Sequence, residues 1–99
     1  MKTRVTEIFG IEYPVLMGAM MWLAKPELCA AVSNAGGLGN LTAGNFSSGE
    51  DLRNAINRTR ELTDKPFCVN LTLLPSVRLS KELHEDYFRV CCEEKVNSI

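Results

Sequence analysis

The sequence predicts an α/β fold: three β-α units in succession, with parallel strands covered by helices. Three observations predict it. Short apolar runs alternate with longer stretches at helical period. Each strand and helix together occupy roughly thirty residues, the usual size of such a unit. The last long apolar run, 67–74, is apolar on both faces apart from Asn70 and Thr72. That pattern belongs to a strand inside a parallel sheet.

The first strand is read at Val15-Leu16-Met17, entered through Pro14 and ended by Gly18. Proline suits a strand's first position, where no ladder donor is required. Lys25-Pro26-Glu27 opens a helix, with proline at the first helical position and an acid near the positive end of the dipole. Leu28, Ala31 and Val32 share one face of it. Gly36 and Gly37 stop it by accepting left-handed dihedrals. The second strand candidate is Leu38 to Thr42, followed by a loop at Gly44-Asn45-Phe46.

Ser47 and Glu50 are spaced as a capping box, which predicts a second helix from there. Its apolar residues are Leu52, Ala55, Ile56 and Leu62, and its other face carries Asp51, Arg53, Arg58, Arg60 and Glu61. Asp64-Lys65-Pro66 is a turn. The third strand runs from Phe67 to Leu74 and ends at Pro75. Ser80 caps a third helix with Leu83, Tyr87, Val90 and Cys91 as its inner stripe. Val96 to Ile99 has the pattern of a fourth strand. Three helices of this kind cover one face of a small sheet. An open sheet has two faces to cover and a closed barrel only an outer one, so the count favours part of a barrel, in a single domain over 1–99.

Composition narrows the function. Of the 99 residues, 45% are apolar and 23% charged, which is the balance of a globular chain with one small core. Eleven basic against twelve acidic side chains leave a net charge of -1. That excludes the positive field of a nucleic-acid binder and a polybasic membrane contact. The amino-terminal stretch lacks the apolar core of a secretory signal, and no window is long and apolar enough for a membrane span. A cytoplasmic location is expected, with Cys29, Cys68, Cys91 and Cys92 as thiols and the four N-x-[S/T] sequons coincidental. No C-x-x-C pair exists, and one histidine cannot complete a usual zinc set, so no metal site is expected.

Two places carry chemistry. Gly18-Ala19-Met20 follows the first strand directly; small residues there let a flat ligand approach backbone N–H groups. An ordinary tight loop is the other reading. Asn70 interrupts an apolar strand, and a buried amide without partners costs about 1–3 kcal/mol. A polar ligand ring would satisfy it, as would neighbouring backbone. Gly36-Gly37-Leu38-Gly39 follows a helix and precedes a strand, so it is not a dinucleotide fingerprint, and no P-loop occurs. His84 lies among Glu82, Glu85 and Asp86, on what reads as a solvated face. Met17, Met20, Met21 and Trp22 read first as packing. No catalytic residue emerges.

These residues together resemble the nitronate monooxygenase family and the similar flavin-dependent enoyl-acyl-carrier-protein reductases. The matching stretches are Thr3-Arg4-Val5-Thr6-Glu7, Gly10-Ile11-Glu12-Tyr13-Pro14 and Met17-Gly18-Ala19-Met20-Met21-Trp22. They continue in Ala31-Val32-Ser33-Asn34-Ala35-Gly36-Gly37-Leu38-Gly39, Ala43-Gly44-Asn45, Leu62-Thr63-Asp64-Lys65-Pro66-Phe67 and Val69-Asn70-Leu71.

The resemblance implies the first three β-α units of a (β/α)8 TIM barrel, with non-covalent FMN at the carboxyl ends of its strands. Gly18, Ala19, Met20 and Asn70 match the flavin-facing positions. The implied reaction oxidises an alkyl nitronate with O2 to a carbonyl compound and nitrite. The reductase branch implies reduction of an enoyl thioester by a nicotinamide through the flavin. A non-catalytic β-α module, or gene remnant, is the reading from outside enzymes. Family members commonly carry Gln and two glycines where Met17-Gly18-Ala19 stand, and a more apolar second strand than Asn40-Leu41-Thr42. A whole barrel needs about 250 residues. The 99 residues alone are therefore expected to be inactive and to self-associate through the open sheet edge.

Overall fold

The computed structural model describes residues 1–73 and 80–99. The order is α1 (Arg4–Phe9), α2 (Pro26–Asn34), β1 (Gly39–Thr42), a 3-10 turn (Ala43–Asn45), α3 (Gly49–Leu62), β2 (Phe67–Asn70) and α4 (Lys81–Glu93). β1 and β2 pair in parallel, with Gly39 opposite Phe67 and Thr42 opposite Asn70. A single parallel bridge, Leu16 to Leu38, extends the sheet on one side. Another, Ser98 to Cys68, extends it on the other. The strand positions thus follow sequence order across the sheet.

The first predicted strand is one bridge long. Leu38 N–H donates to the Val15 carbonyl at 2.9 Å and Met17 N–H to the Leu38 carbonyl at 3.0 Å. The ladder goes no further back because Val15 N–H turns onto the Tyr13 carbonyl at 2.8 Å and Pro14 has no donor. The fourth is equally short: Val69 N–H reaches the Ser98 carbonyl at 3.1 Å. The third strand ends at Asn70, earlier than predicted; its expected tail at Leu74 and Pro75 lies outside the described residues.

Successive strand residues face opposite sides. Leu41, Phe67 and Val69 enter a core with Cys29 of α2, Leu52 and Ile56 of α3, and Tyr87, Val90 and Cys91 of α4. The three longer helices therefore cover one face, as the helix count predicted. Asn40, Thr42, Cys68 and Asn70 alternate with those residues and belong to the opposite, inner face. None of them joins the core.

The helix α2 packs by a different face from the one its large residues mark. Pro26, Cys29, Ala30 and Ser33 are buried, whereas Leu28 and Ala31 are exposed. The reason is the closeness of α2 to β1. A Cβ at Gly39 would sit 2.1 Å from the Cys29 carbonyl oxygen. Small residues alone fit that contact. Ser33 completes it: its Oγ donates to the Pro66 carbonyl at 2.8 Å and accepts Gly39 N–H at 3.0 Å. The stop after α2 uses Gly36 at φ 102, while Gly37 keeps an ordinary φ.

The caps explain the remaining boundaries. α1 was not predicted, yet Thr3 and Thr6 form a reciprocal capping box and Gly10 closes the helix at φ 67. α3 starts one residue later than predicted. Ser48 Oγ accepts Asp51 N–H at 3.1 Å, while Ser47 Oγ donates to the Asp51 carboxylate at 2.7 Å. Ser80 caps α4 as expected, accepting Leu83 N–H at 3.1 Å. Arg53 of α3 ties the helix pair together through Glu93 and Glu94.

Candidate functional site

The site is built at the carboxyl ends of the strands. The bridge at Leu16 delivers the chain to Gly18-Ala19-Met20, and Met20 N–H donates to Thr42 Oγ1 at 3.0 Å. Thr42 stands opposite Asn70 in the register. Parallel partners share a face, so Asn70 lies on the inner face beside Thr42, at the same end as Gly18–Met20. The two sequence-predicted places therefore meet at one mouth.

Their exposure suits a ligand contact. Gly18, Ala19 and Met20 are exposed and Asn70 is half-buried. A Cβ built on Gly18 would meet nothing within 4 Å, so open space lies above its backbone. Among the described residues, the N–H groups of Gly18 and Ala19 have no hydrogen-bond partner. Neither does the Asn70 carboxamide. Met20 differs, because Thr42 already occupies its N–H.

The residues that hold this loop lie on β1 and in the turn after it. Asn40 Nδ2 donates to the Met17 carbonyl at 3.2 Å. Asn45 Oδ1 accepts Trp22 N–H at 2.5 Å, and its Nδ2 donates to the Ala24 carbonyl at 3.4 Å. Thr42 N–H also reaches the Ala24 carbonyl, at 3.1 Å. Trp22 itself sits at φ 69, a conformation that L side chains adopt at a cost. The signal was present in Asn40-Leu41-Thr42, whose polar members alternate as a strand's inner face does.

No ionisable carboxylate or amine belongs to this set; the mouth is a neutral arrangement of amides, hydroxyl and backbone. On the same face Cys68 is in register with Asn40, and its Sγ donates to the Gly39 carbonyl at 3.4 Å. Burial pushes that thiol up from its ordinary value. His84 is half-buried rather than solvated, and its Nε2 contacts the Thr72 carbonyl just beyond β2. No group of His, Cys, Asp or Glu among the described residues is arranged to hold a metal. No helix among them is long and apolar enough to cross a membrane.

Two surface recesses lie at the other end of the sheet. One, of about 230 Å³, is lined by Gly10, Asn34, Gly37 and Pro66. The other, of about 260 Å³, is lined by Arg60, Lys65, Lys95 and Asn97. Gly37 and Pro66 precede β1 and β2, so both recesses sit where strands begin. Ligands of parallel α/β folds bind where strands end.

Comparison with known proteins shows the family. The model of one protein family, nitronate monooxygenase, matches residues 2–99. A probable nitronate monooxygenase of Staphylococcus saprophyticus is 47% identical over 79 residues, covering 80% of this chain and 22% of that protein. A nitronate monooxygenase of Pseudomonas aeruginosa is 46% identical over 71 residues, covering 72% of this chain and 20% of that protein. Among solved structures, FabK from Thermotoga maritima superposes with a TM-score of 0.84 at 48% identity, covering 97% of this chain and 29% of that one. The chain thus spans about a fifth of the curated relatives it matches.

Proposed function

We propose that this chain, which belongs to the nitronate monooxygenase family, supplies the first flavin-facing strands of a TIM-barrel oxidoreductase acting on alkyl nitronates. The one-sided helix cover and the sequential order of strand positions support a sector of a closed barrel. The single observation that carries the functional reading is the meeting of Gly18–Met20 and Asn70 at the carboxyl end of the inner face.

The residues present fit FMN. Among the described residues, the backbone N–H groups of Gly18 and Ala19 have no partner, open space lies above Gly18, and the Asn70 carboxamide, with both donor and acceptor, is likewise unpaired. Such groups hold a heterocycle with carbonyl, ring-nitrogen and imide edges. Gly18 and Ala19 would donate to it, Asn70 would orient it, and exposed Met20 would lie against its apolar part. When bound, FMN supplies the electron chemistry: it takes electrons from the nitronate and returns them to O2. The residues of the mouth bind and orient; among the described residues, none is placed to move a proton in that reaction.

The likeness to FabK favours a second reading, the enoyl-acyl-carrier-protein reductase branch. The experiment joins these 99 residues to the carboxyl-terminal remainder of the Staphylococcus saprophyticus relative. Bound-flavin absorbance with nitrite release from an alkyl nitronate supports the first reading. Flavin reduction by NADH coupled to an enoyl thioester supports the second. Absence of bound flavin overturns both.

A further inference from the structure

The inner face of β1 carries Asn40 and Thr42, where barrel interiors usually carry bulky branched apolar side chains. Both residues reach sideways to the same short stretch. Asn40 Nδ2 holds the Met17 carbonyl at 3.2 Å, and Thr42 Oγ1 holds Met20 N–H at 3.0 Å. One bond lies just before Gly18-Ala19 and the other just after. Asn40 is 9% exposed, and its Oδ1 is buried without a hydrogen-bond partner among the described residues. A buried orphan acceptor is a net cost to folding, so stability does not account for an asparagine there.

We propose that Asn40 and Thr42 are positioning residues of the mouth: they anchor both ends of the Met17–Met20 backbone and present Gly18 and Ala19 to the ligand. The anchor stands without any ligand; the identity of that ligand rests on the flavin reading above. A consequence follows for recognition. With Met20 N–H occupied by Thr42, the backbone donors left for a flat ligand in this stretch are those of Gly18 and Ala19. The strand residues, not the loop's own, set where those donors point.

The test uses the 99-residue chain with ¹⁵N labelling. The Met20 amide should exchange with solvent at least about five-fold more slowly than it does in Thr42→Val, the factor of one ordinary hydrogen bond. Thr42→Ser, which keeps the hydroxyl, should retain the protection. Asn40→Leu removes the orphan oxygen and the anchor together. It should raise Tm by about 4 °C while lowering the fluorescence anisotropy of Trp22, the sole tryptophan. A Met20 amide that exchanges as freely in the unsubstituted chain as in Thr42→Val overturns the proposal. So does an Asn40→Leu chain with lowered Tm and unchanged anisotropy. A protected Met20 amide in a chain whose Gly18 and Ala19 signals ignore FMN upholds the anchor and removes the flavin reading.

Discussion

At the scale of the residue, the thiols report burial directly. Cys29 and Cys91 are buried, Cys68 half-buried and Cys92 exposed. Burial pushes the Cys29 thiol up to about 12 and that of Cys91 up to about 11, from an ordinary 9.0. A raised pKa means that the fold favours the protonated thiol. The contribution to stability is complete below pH 9 and is lost as pH rises toward 11 and 12. The urea midpoint should therefore be insensitive to these thiols below pH 9 and fall above it. In Cys29→Ala the fall should be shallower. A thiol reagent should modify Cys92 first in the native chain, with Cys29 and Cys91 reacting only on unfolding.

Legibility at this scale depended on whether a residue broke a local pattern. Asn70 did, as an amide in an apolar run, and it lies at the mouth. Asn40 and Thr42 did so too, but their meaning depends on Met17 and Met20, 23 and 22 residues away. No local spacing encodes a side chain reaching a neighbouring strand's backbone. The charged helix neighbours of the single histidine point to a solvated face; its partner, the Thr72 carbonyl, lies just beyond β2.

At the scale of the element, close approach outweighs apolar periodicity. Leu28, Ala31 and Val32 mark one face of α2, yet Cys29, Ala30 and Ser33 are the buried set. Gly39 is the cause, since its missing side chain admits the Cys29 carbonyl. Gly39→Ala should destabilise the chain by roughly 3 kcal/mol, because the contact is with backbone and cannot yield cheaply. Denaturant titration measures it. A loss below a tenth of that would show that α2 does not lie against β1 as described.

Caps can be tested in the same way. Ser48 satisfies the Asp51 N–H of α3, whereas exposed Ser47 bonds only the Asp51 carboxylate. Ser48→Ala should cost about 1 kcal/mol and Ser47→Ala a few tenths. Equal losses would contradict the cap assignment. The sequence pattern located this helix but not its first residue, because adjacent serines offer alternative caps that only the chain direction out of Phe46 separates. The bridge-length strands at 16 and 98 were legible as apolar runs, though their length was not: hydrogen-bond partners on neighbouring strands decide where a ladder stops.

At the scale of the whole molecule, the fold is a one-sided sheet with a polar inner face. The parallel α/β order was readable from alternation, and one-sided cover from the number of helices. Neither periodicity nor spacing named a ligand; that came from the family pattern, to which the structure adds the meeting of Gly18–Met20 with Asn70. Because the neutral mouth holds no group placed to move a proton among the described residues, the isolated 99 residues should give no nitronate turnover with added FMN. Nitrite release above that of free FMN would contradict this.

The most direct measurement is an FMN titration of the ¹⁵N-labelled chain followed by amide chemical shifts. The largest changes should fall on the backbone amides of Gly18 and Ala19 and on the Asn70 carboxamide. Shifts gathered instead around Gly37, Lys65 and Asn97 at the opposite end of the sheet, or none at any FMN concentration, would contradict it.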